Sequence, residues 1–171
     1  RENDEPDREG ITEIRYIEGL YAYWDRLIEA FPDTFRVNCA SGGRRIDLET
    51  VRRFHVHQKS DHWFDHVADQ SSLFSLSPYL PNSIIMTPTE RTDDESLCAV
   101  AASSVCAGWI ADADDFDMDR AIAWVRRYRE LSRFIDRDWY PMTRYSRRND
   151  SWLAMQFHCP DTDAGIVLIH R

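Results

Sequence analysis

The sequence predicts an α/β chain in which parallel β/α units are followed by antiparallel strands. Three observations predict it. Apolar residues recur at helical spacing over 11–31 and again after Asp117; short apolar runs of strand length lie between the helical stretches; and after residue 137 the apolar period drops to two. The chain has 171 residues, of which 43% are hydrophobic. That suffices for one ordinary core or a piece of a larger domain, and excludes disorder throughout.

Residues 1–9 read as a charged loop. Ile14, Ile17, Leu20, Tyr21, Trp24, Leu27, Ile28 and Phe31 share one face of a helix from Ile11, with Thr12 helping to open it and Pro32-Asp33 ending it. Phe35 to Cys39 reads as a short strand, and Asp47 as the cap of a helix from Leu48 to Phe54. His55 to Lys59 reads as a strand and 63–77 as a helix, broken off by Pro78 and Pro81. A buried strand is expected over Ser83 to Met86, a helix over Glu95 to Ser104, and a strand over Val105 to Ile110. Asp117 opens an amphipathic helix through Ile122, Val125, Leu131 and Ile135. Trp139 to Tyr145, Trp152 to His158 and Ile166 to His170 then read as antiparallel strands. The chain divides into 1–137 and 138–171. The β/α units of the first part are too few to close a barrel of eight.

The net charge of −9 argues against a nucleic-acid partner. There is no 18-residue apolar run and no signal peptide, so no membrane association is expected. The first residue is Arg, not Met, which leaves room for a processed product or a fragment. Cys39, Cys98, Cys106 and Cys159 form no CxxC pair, so neither a zinc ribbon nor a disulfide framework is indicated, and the compartment stays open.

Two segments carry candidate chemistry. In FRVNCASGGRRID (35–47) a strand ends in Cys39 and runs into the turn Ala40-Ser41-Gly42-Gly43, then Arg44-Arg45. A loop at the carboxyl end of a parallel strand is where barrel enzymes place their chemistry, and glycines there let a ligand approach the backbone. A plain strand-to-helix turn accounts for the same letters. In HVHQKSDHWFD (55–65) a strand delivers Ser60-Asp61 into a loop, between Lys59 and His62 and near Trp63. A carboxyl group against an aromatic wall suits a general acid, and the aromatic suits a sugar ring. Asp61 as the cap of the next helix fits equally well. The same stretch admits a metal cluster of His55, His57, His62 and His66 with Asp61 and Asp65, although no standard zinc signature is present. Arg52-Arg53, Arg126-Arg127 and Arg147-Arg148 read as solvated faces.

Taken together, REGITEIRYIEGLYAYWDRL, NCASGGRRIDLET, KSD and WYPMTRYS…WLAMQFH resemble the melibiase-type α-galactosidases of glycoside hydrolase family 36. The Cys-x-Ser-Gly-Gly segment followed by Ser-Asp is the most specific part. The resemblance implies the later units of a (β/α)8 barrel over 1–137 and the opening of a C-terminal β-sandwich over 138–171. It implies a sugar pocket lined by Cys39 and Gly42, with Ser41 and Arg45 in support, and Asp61 as general acid/base. Lys59 and Trp63 join the expected sugar contacts. The implied chemistry is retaining cleavage of terminal α-galactosides by two carboxylates, with no metal or organic cofactor. The nucleophilic Asp would lie upstream of Arg1, so the chain alone is expected to be inactive. Where relatives are expected to carry Trp-Arg before the Ser-Asp, this chain has Gln58-Lys59. Two rival readings stand beside this one: a non-catalytic carbohydrate-binding or decayed glycosidase fragment, and a metal-dependent hydrolase built on the histidines. An incomplete barrel is also expected to expose sheet edges through which copies associate.

Overall fold

The computed structural model describes residues 4–61, 65–146, 148 and 150–171. A first helix, α1 (Ile11–Ala30), leads into four β/α steps: β1 (Val37–Asn38), α2 (Leu48–Val51), β2 (Val56–Gln58), α3 (His66–Leu76), β3 (Ile85–Thr89), α4 (Asp94–Val100), β4 (Ser104–Ala107) and α5 (Met118–Ser132). A short 3-10 turn, Asn82–Ile84, enters β3. The strands form one parallel sheet in the order β1-β2-β3-β4. Then β5 (Asp138–Pro141), β6 (Leu153–Cys159) and β7 (Ala164–His170) form an antiparallel sheet in chain order. All the loops that follow the parallel strands therefore open on one rim of that sheet, which positions the candidate site.

Aspartates set most of the helix starts. Asp47, Asp65, Asp93 and Asp117 each accept a hydrogen bond from the backbone N–H three residues on, satisfying a donor that the first turn leaves open. α1 starts differently from the expectation at Thr12. Its cap is Gly10 in the left-handed region, and the Asp4 carboxylate accepts from the Gly10 and Thr12 amides.

Arg53 corrects the reading of Arg52-Arg53 as a solvated face. It is buried and forks onto both carboxylate oxygens of Asp25 at 2.7 and 2.9 Å, while its other arm reaches Glu49. The guanidinium also lies over the Tyr21 ring, and Trp24 meets Phe54 edge-on at 4.9 Å. These contacts latch α1, which buries none of its residues fully, onto the β1–β2 unit.

The main core lies between the two sheets. Leu73 and Phe74 of α3 and Ile85 of β3 pack with Leu153, Met155, Phe157 and Leu168 of the antiparallel sheet. Each such side chain contributes about 1.5–3 kcal/mol by leaving water. A second cluster of Leu97, Ala99, Val100 and Trp124 seals α4 against α5.

His170, at the end of β7, is buried beside the Cys98 thiol at 3.8 Å. Burial, with His66 nearby, pulls its pKa from 6.5 to about 4. The folded state therefore holds the neutral imidazole, and its contribution is complete above pH 6.5 and lost as pH falls through about 4. Over that window denaturant unfolding should show stability falling by about 3 kcal/mol in the native protein, and by much less in His170→Gln.

Candidate active site

The turn after β1 and the loop after β2 meet. Ser41, Gly42 and Gly43 all have positive φ, at 46°, 68° and 89°. The turn is closed by the Arg44 N–H donating to the Ala40 carbonyl and by the Asn38 amide donating to the Arg45 carbonyl at 2.8 Å. A Cβ on Gly42 would stand 2.8 Å from the Asp61 backbone nitrogen and 3.2 Å from its Oδ2, and one on Gly43 would collide with the Lys59 carbonyl. The double glycine thus lets one loop lie flat on the other, which places the Asp61 carboxyl against the turn.

Asp61 is exposed and does not cap α3; Asp65 does, accepting from the Ala68 N–H at 2.9 Å. Asp61 stands on a cleft of about 570 Å³ lined by Ser41, Gly42, Ser60, Asp65, Ser71 and Tyr145 among others. The Gln58 amide donates to Asp61 Oδ1 at 2.9 Å and to the Ser60 carbonyl at 3.2 Å.

Lys59 also borders the cleft, but its side chain is fully buried and its ammonium sits 2.6 Å from Asp69 Oδ1 on α3. Burial lowers the Lys59 pKa and raises that of Asp69, and each partner opposes the other's shift. The sequence offered no sign of this pair, because Asp69 lies a helix start away from Lys59. Cys39 is exposed at the end of β1 and Arg45 is exposed on the far arm of the turn; neither borders this cleft. Trp63 and His62 lie outside the described residues.

The other histidines of the metal reading do not converge. His55 stacks on Phe35 and accepts from the Arg36 N–H, His57 is buried against Asn38 and Phe54, and His66 faces Glu95. Among the described residues no group of three His, Cys, Asp or Glu side chains is placed to hold a metal ion. None of their helices is long and apolar enough to cross a membrane.

No family model matches the chain. It is 26% identical over 178 residues to alpha-galactosidase 1 of Pediococcus pentosaceus, covering 96% of this chain and 24% of the relative. Its fold matches the GH36 alpha-galactosidase AgaA of Geobacillus stearothermophilus, solved in complex with raffinose, at a TM-score of 0.78 and 18% identity over 96% of this chain and 24% of the enzyme. It also matches the galactosidase domain of alpha-galactosidase-sucrose kinase, AgaSK, at a TM-score of 0.75 and 16% identity over 89% of this chain and 22% of that one. In sequence and in fold, this chain is similar to about a quarter of the length of a GH36 alpha-galactosidase.

Proposed function

We propose that these residues form part of a retaining glycoside hydrolase that cleaves terminal α-galactosides, with Asp61 as its general acid/base. The observation that carries the reading is the position of the Asp61 carboxyl: exposed on a cleft, against the glycine turn, and free of the capping role that Asp65 fills. The likeness to alpha-galactosidases, one of which, AgaA, has been solved with raffinose and with stachyose, supports the substrate class.

In this reading residues 1–137 are the later units of a (β/α)8 barrel and 138–171 begin a C-terminal β-sandwich. The edge of β1, where Phe35 and Val37 are exposed, is where further barrel strands join. The nucleophilic carboxylate comes from outside these residues and stands about 5–5.5 Å from Asp61. It attacks the anomeric carbon while Asp61 gives its proton to the departing oxygen. Asp61, now a carboxylate, then takes a proton from the water that breaks the glycosyl-enzyme bond. Ser41 and Gly42 hold the sugar at the cleft wall; Lys59 serves through its backbone and its buried anchor.

The test is proton NMR of an aryl α-galactoside during hydrolysis by the full-length protein that carries this segment. The first product should be the α-anomer of galactose. The β-anomer appearing first, or no turnover of any α-galactoside, refutes the proposal.

A further inference from the structure

Gln58 ends β2 on the face opposite His57, since successive side chains of a strand alternate. His57 turns toward Asn38 and Phe54, so Gln58 turns the other way, where it meets Asp61. Its Nε2 makes two hydrogen bonds, to the Ser60 carbonyl at 3.2 Å and to Asp61 Oδ1 at 2.9 Å. A backbone carbonyl only accepts, which fixes the amide with its nitrogen toward the loop. Both N–H groups are then spent on residues 60 and 61. The second carboxyl oxygen of Asp61, Oδ2, faces Gly42.

A carboxylic acid carries its proton on one oxygen. An oxygen already receiving an N–H is the poorer place for that proton, because protonation would make it the weaker acceptor of that bond. From this geometry we infer that Gln58 is a positioning residue that pins Oδ1 of Asp61 and consigns the acid's proton to Oδ2, on the glycine-turn side of the cleft. The inference rests on the glycosidase reading above. The leaving-group oxygen accordingly meets Oδ2 rather than Oδ1. Gln58 touches no substrate; it acts only through Asp61.

The experiment uses the full-length protein and two substrates. Methyl α-galactoside has a poor leaving group that needs the proton, whereas the fluoride of α-galactosyl fluoride departs without one. Gln58→Met keeps the length of the side chain and removes its donors. It should lower kcat/KM on the methyl glycoside by about 10- to 100-fold, since small misplacements of a reacting group cost about that much. On the fluoride the change should stay within about 3-fold, because no proton is required. In an Asp61→Asn background Gln58→Met should change the methyl glycoside rate by less than about 3-fold, because no acid is left to position. A parallel fall on both substrates, or no selective loss on the methyl glycoside, overturns the inference. If Asp61→Asn shows the selective loss and Gln58→Met does not, the positioning role fails while the glycosidase reading stands. A native protein inert on both substrates removes both.

Discussion

Asp61→Asn in the full-length protein is expected to lower kcat/KM on methyl α-galactoside by about a thousandfold, within the range that a positioned general acid supplies. The amide keeps the shape of the carboxyl and still accepts from Gln58 through its oxygen, but it has no acidic proton to give. α-Galactosyl fluoride should still form the glycosyl-enzyme. The second step then slows, because nothing takes the proton from water, and the intermediate accumulates as a burst. Azide needs no general base and should restore turnover as a galactosyl azide. Stability should hold within about 0.5 kcal/mol, since Asp61 is exposed and the cap of α3 belongs to Asp65. Thermal melting of the variant therefore separates lost chemistry from lost fold. Full activity on the methyl glycoside, with an unchanged pH profile, would sink the assignment.

The distinction between acid and cap shows where sequence reasoning reached its limit. Asp61 and Asp65 are both good caps by type, and an expected helix over 63–77 favours the nearer one. The helix starts at His66, so the cap is Asp65 and Asp61 is released to the cleft. Only the true start decides this, and helix ends are what periodicity defines least. Asp47 and Asp117 were legible because there the expected helix start coincides with the true one.

Strand β3 was expected to stop at Met86 and runs to Thr89, with Pro88 inside it. Proline normally argues against a sheet interior. Here β2 pairs with β3 only as far as Met86, so beyond that point β3 has a neighbour only in β4 and one side of its ladder asks for no donor. The missing N–H of Pro88 costs nothing on that side. The glycine turn was legible as a turn. Its partner was not, because the contact of Gly42 with Asp61 joins loops from different strands. Nearness in sequence put the histidines together, but His57 pairs with Asn38 of β1 and Phe54, and His66 with Glu95 of α4, so these two do not meet.

Lys59→Met should destabilise the protein by about 3–5 kcal/mol, the cost of leaving one partner of a buried ion pair alone. The Lys59 side chain is 0% exposed and that of Asp69 is 1%, with Nζ and Oδ1 2.6 Å apart. Asp69 Oδ2 has no hydrogen-bond partner among the described residues, so the ammonium on Oδ1 is the chief stabiliser of that carboxylate. Without it, burial drives Asp69 to bind a proton or draw in water, and α3 loses its tie to the end of β2. The pair is not a net source of stability merely because breaking it is costly. Two apolar side chains of similar volume would avoid desolvating both charges, so Lys59→Met/Asp69→Leu should recover most of the loss. Urea unfolding of the two single variants and the double variant closes the cycle. The coupling should be large and opposite in sign to the single losses, because each single variant strands a charge that the double variant removes. Single variants within about 1 kcal/mol of the native protein would mean that water reaches the pair and screens it. In that case the loop bearing Asp61 would owe its position to the glycine turn and Gln58 alone.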